Sequence, residues 1–378
     1  MMSLSVTRSR ASIVVPNGHE PGATRGSDTD AHAGRTSGVL GRGRFGTLRD
    51  QGSRGPVEPG ACSAAVGHRS IFRRLPGSVT AGALCIMPEL GRELMAQLGT
   101  DCAAEPESTV SAGGDQRCYR WRCGLGWLLV KTVPVPSNDR LAGEAAGLSA
   151  LAEAGALRVP RVRAQGIAAA EAFLALEWID AAAASSDSER RLGEGLAALH
   201  HVTADRFGWN HDTHIGPTPQ ANGWLEDWPT FWRQRRLQPQ LEWAMHRGHG
   251  RLLRAPGERL LEALDALLGD HRPQPSLLHG DLWGGNWCAT ADGEPVIFDP
   301  AVYYGDRETD LAMTRLFGGF GRRFYEAYLG SAPLPAGHAV RAELYNVYHM
   351  LNHANLFGGG YVQRSHAMIR RLLAQVSA

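Results

Sequence analysis

Lysine is almost absent from this sequence. Of the 39 Lys and Arg residues, 38 are arginine and only Lys131 is lysine. A GC-rich genome that replaces lysine by arginine would explain the excess of arginine. It would not explain the exception, because the planar guanidinium of arginine cannot replace a compact ammonium at every site. The composition therefore marks Lys131 as a candidate functional residue.

Paired cysteine motifs and long apolar runs are also missing. No stretch approaches the roughly 20 apolar residues that cross a bilayer, and the N-terminus lacks the charged start, apolar run and cleavage site of a signal peptide. In a chain this long, cysteines without a C-x-x-C pair are typical of free thiols in a reducing cytosol. We therefore expect a cytoplasmic protein that makes no membrane contact and has six free cysteines, namely Cys62, Cys85, Cys102, Cys118, Cys123 and Cys288.

The charge balance excludes a uniformly basic nucleic-acid binder, since the formal net charge is only +1. The 378 residues are enough for two domains, and 43% hydrophobic residues suit a globular core. Residues 1–86 are rich in Gly, Arg, Ser and Ala and have no apolar period, which predicts a disordered segment. Its Arg-Gly runs could touch RNA. We favour a non-functional extension ahead of an internal start at Met87.

After Met87 the pattern predicts two regions. Residues 87–180 begin with a helix, continue as a strand hairpin at 117–123 and 127–131, and then form a helix that ends at Gly155. A short strand pair at 162–167 and 173–178 follows, and then an alanine- and serine-rich connector. Residues 181–378 are mostly helical. We expect the first region to bind a nucleotide and the second to carry the catalytic residues and the acceptor site.

The segment HGDLWGGNWCATADGEPVIFDP holds the strongest chemical signal. Asp281 and Asn286 are five residues apart, and Asp299 follows at the end of a predicted strand. Phosphoryl transfer from ATP needs a carboxylate to deprotonate the attacking hydroxyl, and oxygen ligands for Mg²⁺. The protein-kinase catalytic loop has the same Asp-to-Asn separation. We predict that Asp281 is the base and that Asn286 and Asp299 bind Mg²⁺, because oxygen ligands favour that ion over zinc.

The same segment predicts a β-hairpin. Ser276–His279 and Pro295–Asp299 would be its strands, and Asp292-Gly293 is a strong turn signal. This pairing would place both carboxylates at the ends of adjacent strands. We expect His279, just before the predicted base, to brace the loop by hydrogen bonding.

Nucleotide-binding residues are expected before the connector. Lys131 ends a predicted strand, as the phosphate-pairing lysine of a kinase does, and Glu144 on the next helix is its expected ion-pair partner. Glu153 on the same helix is a competing partner. Gly113 and Gly114, ahead of the lysine hairpin, are expected to cover the phosphates with backbone N–H groups.

Two further groups of residues have weaker signals. Glu177, Trp178 and Ile179 lie between the last predicted strand and the connector, at the hinge position where backbone groups would bind adenine. His349 and His353 are four apart on a helix, but the glutamate of H-E-x-x-H is missing. We therefore expect these histidines to pack in the helical region or to line the substrate pocket rather than to bind zinc.

These segments resemble the fructosamine kinase (ketosamine 3-kinase) family over about residues 87–378. That family is similar in fold to aminoglycoside phosphotransferases and choline kinases. HGDLWGGN and YYGDRETDLAM are specific to it, and SAGGDQRCYR, EAAGLSAL, FLALEWI and HMLNHANLFGGGY also match.

The resemblance implies an α+β, bilobal protein-kinase-like fold, with a small β-rich N-lobe and a larger, mostly helical C-lobe. It implies ATP-dependent phosphorylation of a sugar hydroxyl, usually O3, on a ketosamine formed by glycation of an amine or protein, which leads to deglycation. It also implies the roles given above for Lys131, Asp281, Asn286 and Asp299. For Asp306 and Asp310 we infer a structural role that braces the catalytic loop.

Two alternatives remain open. The chain could be a related kinase of an aminoglycoside, choline or a homoserine-like alcohol. It could also be a nucleotide-binding regulator without phosphotransfer, but a regulator need not keep Lys131, Asp281, Asn286 and Asp299 together.

Overall fold

The computed structural model describes residues 87–376, so the prediction for residues 1–86 lies outside the described residues. The N-terminal part is built around one antiparallel sheet of five strands in the order β1-β2-β3-β5-β4. Its helices and strands are α1 (Met87–Leu98), β1 (Ser108–Gly113), β2 (Gln116–Cys123), β3 (Gly126–Pro134), a 3₁₀ turn (Val135–Ser137), α2 (Asn138–Ala154), β4 (Val162–Ala168) and β5 (Glu171–Glu177).

Strand β3 lies at the centre of this sheet and is buried on both faces. Leu129 and Val133 face a core that includes residues of α2, and Leu128 and Val130 face a second core that includes residues of α1. The strand continues through Pro134, so the predicted strand end at Lys131 is three residues too early. Lys131 therefore lies inside the sheet, where neighbouring strands fix its position on both sides.

The C-terminal part is mostly helical, as predicted. No helix within residues 87–376 is both long and apolar enough to cross a membrane. The elements are α3 (Ser186–Leu199), β6 (Thr213–Ile215), β7 (Thr218–Gln220), α4 (Trp228–Phe231), a π-helical turn (Trp232–Leu237), α5 (Gln238–His246), α6 (Gly250–Glu262), α7 (Leu264–Leu268), β8 (Ser276–Leu278), β9 (Trp287–Ala289), β10 (Pro295–Ile297), β11 (Tyr303–Gly305), α8 (Glu308–Leu316), α9 (Arg322–Ser331), α10 (His338–Phe357) and α11 (Gly360–Val376).

The predicted strand pairing in the C-terminal part is wrong. The Asp292-Gly293 turn joins β9 to β10, while β8 pairs with β11. An Asp-Gly turn specifies only the hairpin closest to it, and the short strand β9 before the turn has little strand signal of its own. Asp281 and Asp299 still come together, because the N–H of Ala301 donates to the carbonyl of His279 at 2.8 Å.

The expectation of free cysteines is also wrong for one pair. Cys102 and Cys123 form a disulfide across 21 residues of sequence. The segment after α1 runs antiparallel to the end of β2 and brings the two residues together, which no short spacing motif could reveal. Neither Cys118 nor Cys288 is part of a disulfide, and Cys62 and Cys85 lie outside the described residues.

Candidate active site

The solitary lysine lies between two carboxylates. Its side chain is 1% exposed, and its Nζ donates to Glu144 Oε1 at 2.6 Å and to Asp299 Oδ1. Burial opposes the charge of Lys131, but Asp299 and Glu144 outweigh it and hold the pKa of the ammonium above its ordinary range. Glu153, the competing partner considered from the sequence, is exposed to solvent.

The Asp281 and Asn286 side chains are in contact. Asn286 Nδ2 donates to the Asp281 backbone oxygen at 2.9 Å and to Asp281 Oδ2 at 3.3 Å. The amide nitrogen of Asn286 therefore faces the protein, and no donor from the described part of the chain reaches its Oδ1. Burial, together with repulsion from Asp299, raises the pKa of Asp281 well above its ordinary value.

Asp299 has an unusual backbone conformation. Its φ of 56° lies in the left-handed region, which few residues other than glycine adopt and where aspartate is among the better tolerated. This turn of the chain directly follows β10. The same residue forms the ion pair with Lys131. The strained backbone conformation therefore occurs at a residue that carries one of the charges of the site.

Asp310 holds the segment before Asp281 in place by hydrogen bonds, as inferred from the resemblance. Both carboxylate oxygens of Asp310 accept backbone N–H groups, those of His279 and Gly280, each at 2.8 Å. The His279 ring adds a second brace, since Nε2 donates to the carbonyl of Phe298 at 3.0 Å. Burial lowers the pKa of His279, which therefore stays neutral at this position. Asp306 does not bond to this segment; it accepts from Tyr345 and His271 instead.

Glycine is required between His279 and Asp281. Gly280 has φ 82°, and a Cβ atom there would lie 2.0 Å from the carbonyl oxygen of Ala301. Any other residue would push that oxygen away and break the hydrogen bond that joins the two carboxylate-bearing segments. The glycine of H-G-D is thus a steric requirement of the site.

The predicted hinge offers fewer free backbone groups than expected. The N–H of Glu177 donates to Arg161 at 2.9 Å, and that of Trp178 donates to Trp127 at 3.2 Å. Of the three hinge residues, only Ile179 has an N–H without an acceptor among residues 87–376.

The predicted glycine loop lies at the turn between β1 and β2. Gly113 ends β1, and Gly114 follows in the turn with φ 61°. The adjoining Asp115 contacts Arg140 of α2 at 2.5 Å, and this hydrogen bond lowers the pKa of Asp115. Arg140 lies one turn before Glu144, so one helix holds both the glycine turn and Lys131.

A cavity of about 400 Å³ opens beside Asp281. Its deep part includes His349, which is 3% exposed and whose Nδ1 has no hydrogen-bond partner among the described residues. Burial lowers the pKa of His349 to about 3, so its ring is neutral. Both helical histidines therefore line a pocket, one of the two placements predicted. The lining residues are Ile215, Gly216, Pro217, Asp281, Trp283, Met313, Phe317, His349, Asn352, His353, Leu356, Phe357 and Tyr361.

Sequence reasoning missed three residues that hold the site together. Arg140 fixes the glycine turn, and Arg158 bonds to Glu177 and Glu294, each at 2.8 Å. His200 contacts Asp310 at 3.2 Å. In a chain with 38 arginines no single arginine stands out by composition, and His200 has no motif around it.

Comparison with known proteins identifies the family. The family model described as fructosamine kinase matches residues 86–375. A probable ketoamine kinase of Synechocystis sp. is 46% identical over 286 residues, which cover 75% of this chain and 96% of that protein. A chloroplastic protein-ribulosamine 3-kinase of Oryza sativa subsp. indica is 37% identical over 327 residues, covering 82% and 94% of the two chains.

A solved structure from Thermobifida fusca, described as a candidate fructosamine-3-kinase, agrees in fold as well. It has a TM-score of 0.68 and 32% identity, and the match covers 76% of this chain and 99% of that one. The two-lobed α+β architecture is therefore the kinase-like fold expected from the sequence. The chain belongs to the fructosamine kinase family.

Proposed function

We propose that this protein is an ATP-dependent kinase that phosphorylates a sugar hydroxyl, O3, of ketosamines such as fructosamine or ribulosamine adducts. The observation that carries the proposal is the contact of Lys131 with Asp299, residues 168 apart in sequence, next to Asp281. Membership of the fructosamine kinase family supports the same activity, as do the names of the relatives. In this role the enzyme serves deglycation of amines, peptides or proteins.

Asp281 is the general base of the proposed reaction. Its carboxylate accepts the proton of the sugar hydroxyl while the hydroxyl oxygen attacks the γ-phosphorus of ATP. The bond from that phosphorus to the oxygen bridging to the β-phosphate breaks, and the products are ADP and a phosphate ester. The proton on Asp281 then passes to solvent. A pKa raised by burial suits a group that must accept a proton near neutral pH.

The charges on the phosphates call for positive groups nearby. Lys131, held by Glu144, would contact the phosphates, and Asn286 and Asp299 are the oxygen donors that would hold Mg²⁺. The orientation of Asn286 fits this role, because its amide nitrogen is already bonded to Asp281. Mg²⁺ supplies electrostatic stabilisation of the charge that develops on the transferring group.

The nucleotide is assigned to residues 87–180 and the acceptor to residues 181–378. Backbone N–H groups at Gly113 and Gly114 would face the phosphates, and the segment Glu177 to Ile179 would face adenine. Within that segment the N–H of Ile179 is our preferred donor, since those of Glu177 and Trp178 are already engaged.

The cavity beside Asp281 is the proposed acceptor site. His349 Nδ1 has no partner within residues 87–376, and Asn352 Oδ1 accepts from Thr218 at 2.5 Å, which leaves the amide nitrogen of Asn352 to donate. Such groups suit sugar hydroxyls, which both donate and accept hydrogen bonds. An enzyme that consumes ATP needs a compartment that supplies it, and we propose the cytoplasm.

Incubation of the protein with Mg·ATP and a glycated lysine peptide tests the proposal. We expect a mass increase of one phosphate and a phosphate-ester signal in ³¹P NMR, both lost in Asp281→Asn. Aminoglycoside, choline and homoserine acceptors run in parallel; preference for one of them would replace the ketosamine assignment. ATP binding without phosphorylation of any acceptor would favour a nucleotide-binding regulator.

A further inference from the structure

The mouth of the acceptor cavity is aromatic and open to solvent. Phe317 and Phe357 are 39% and 54% exposed, and Tyr361 lies beside them. We call these three residues the aromatic rim. Apolar side chains that remain exposed next to a binding cavity are typical of a surface that a ligand covers.

The rim is held in place by the fold. Phe357 ends α10 and Tyr361 lies in α11, and the chain between them turns through Gly358 and Gly359 with φ of 64° and 54°. This left-handed turn brings the rings of Phe357 and Tyr361 to 6.0 Å between centroids. The ring of His353 lies among them, 4.9 Å from Phe317 and 5.3 Å from Tyr361. The rim is therefore preorganised.

The polarity of the cavity changes from its depth to its mouth. His349 and Asn352 are nearly buried and polar, whereas the rim is exposed and aromatic. Among the described residues that line the cavity, Asp281 is the only carboxylate. An acceptor that fits this gradient has hydroxyl groups at one end and an apolar or cationic group without negative charge at the other.

A ketosamine has this distribution of groups. Its amine nitrogen is bonded to C1, three bonds from C3, and carries both the positive charge of a secondary ammonium and a substituent that varies with the glycated amine. When the C3 hydroxyl faces Asp281, this nitrogen and its substituent extend towards the rim. Aromatic faces attract cations and also bury apolar carbon.

We propose that the aromatic rim binds the amine-side substituent of the ketosamine and so selects among glycated amines. This inference rests on the proposed function. It assigns the preferred substrates as ketosamines of apolar or aromatic amines, including glycated lysines next to apolar side chains in a peptide. The sugar hydroxyl groups of the substrate bind to the polar residues in the buried part of the cavity, whichever amine carries the sugar.

The test compares two acceptors that share one ketose, the methylamine adduct and the benzylamine adduct. We expect kcat/KM for the benzylamine adduct to exceed that for the methylamine adduct by about 10-fold or more, as one extra apolar group in a pocket allows. In Phe357→Ala and Phe317→Ala the ratio should fall towards one, through KM for the benzylamine adduct with kcat nearly unchanged. Damage to the fold would lower both acceptors together and leave the ratio unchanged.

Leu329→Ala is the matched control, because Leu329 is an exposed apolar residue that does not line the cavity. A wild-type ratio near one would overturn the inference, and so would an unchanged ratio in Phe357→Ala and Phe317→Ala variants that keep the wild-type kcat/KM for the methylamine adduct. Where both adducts fall together, the NMR comparison below decides. If neither ketosamine is phosphorylated, the proposed function fails instead. Saturation-transfer NMR of the benzylamine adduct then decides: signals from the benzyl group in wild type that disappear in Phe357→Ala support the rim, and their absence in wild type refutes it.

Discussion

Buried charges at the site depend on one another. Lys131 keeps its proton because Asp299 and Glu144 surround it, and Asp281 holds its proton more tightly because burial and Asp299 both oppose its negative charge. Removing Glu144 or Asp299 leaves the buried Lys131 ammonium with less compensation, whereas removing the Asp281 carboxylate relieves its repulsion with Asp299. Single substitutions at these positions should therefore have effects on stability that are separable from their effects on activity.

Asp281→Asn should lower the activity of the enzyme without lowering its stability at alkaline pH. Between the ordinary pKa of an aspartate, about 3.9, and its raised value here, the folded protein holds a proton that the unfolded chain has lost. Stability of the wild type therefore falls as pH rises through this window. We expect Asp281→Asn to lower turnover by about 10²–10⁴-fold and to unfold at the same or higher urea concentration at pH 8, measured in EDTA.

The control for this comparison is Asp205→Asn, which changes an exposed carboxylate. It should alter neither turnover nor the urea midpoint. A variant Asp281→Asn that unfolds more easily than wild type at pH 8 would contradict the raised pKa.

His349 should make the protein sensitive to acid. Its pKa is lowered to about 3 in the fold, whereas the unfolded chain takes up the proton at about 6.5. The unfolded state thus binds more protons as pH falls from about 6.5 to about 3, and stability is lost over that range. We expect His349→Gln to flatten the dependence of the unfolding free energy on pH between 6.5 and 4, as measured by urea denaturation.

The exposed His246 provides the comparison, since His246→Gln should leave the profile as in wild type. Equal acid sensitivity of His349→Gln and wild type would show that the buried imidazole is not responsible.

At the scale of elements, helix α2 connects three parts of the site. Arg140 binds Asp115 beside the glycine turn, and Glu144 binds Lys131. Asp139 lies 3.8 Å from His214 of β6, and the end of β6 lines the acceptor cavity. A shift of this helix would therefore reach the proposed nucleotide and acceptor sites together.

Arg140→Gln should weaken nucleotide binding selectively. The variant loses the ion pair that holds the glycine turn to α2, an interaction at a partly exposed position whose removal costs under about 1 kcal/mol. We expect KM for ATP to rise about threefold, with kcat nearly unchanged, in a steady-state assay at saturating acceptor. Arg163→Gln, an exposed arginine on β4, is the control. A fall in kcat without a change in KM for ATP would argue against this role.

The helices and strands also show which parts of the fold can be predicted from sequence patterns. The hairpin of β2 and β3, helix α2 and its end at Gly155 follow from alternation, apolar period and a glycine signal, which are local. The pairing of β8 with β11 and the disulfide of Cys102 with Cys123 depend on segments far apart in sequence, and no local pattern encodes them. Lys131, Asp281 and Asn286 stood out because their chemistry restricts residue type. Arg140 and Arg158 act through ordinary ion pairs, which many arginines could form.

At the scale of the molecule, the disulfide anchors the N-terminal sheet at the end of β2. It ties the segment after α1 to the end of β2, so α1 and its buried Leu90 and Leu94 stay on the sheet. Arg158 also links the two lobes, because it forms ion pairs with Glu177 of the N-terminal part and Glu294 of the C-terminal part. The fold thus relies on a few long-range connections in addition to its cores.

Loss of the disulfide should lower stability more than activity. Cross-linking 21 residues restricts the unfolded chain, and removing such a link costs roughly 3 kcal/mol. We expect the double variant Cys102→Ser, Cys123→Ser to show that loss in urea denaturation while retaining turnover. Reductant should lower the stability of wild type but not of the double variant. Equal stability of the two proteins without reductant would mean that the bond does not form in solution.

The burial of Lys131 has a consequence for the enzyme as a chemical target. Unprotonated amines add to the carbonyl carbon of reducing sugars, and lysine side chains are the usual sites of this glycation in proteins. This chain has one lysine, which is buried in the β-sheet and ion-paired with Glu144 and Asp299. The folded protein therefore exposes no lysine side chain to sugars. An enzyme proposed to reverse glycation is thus itself protected from glycation at lysine.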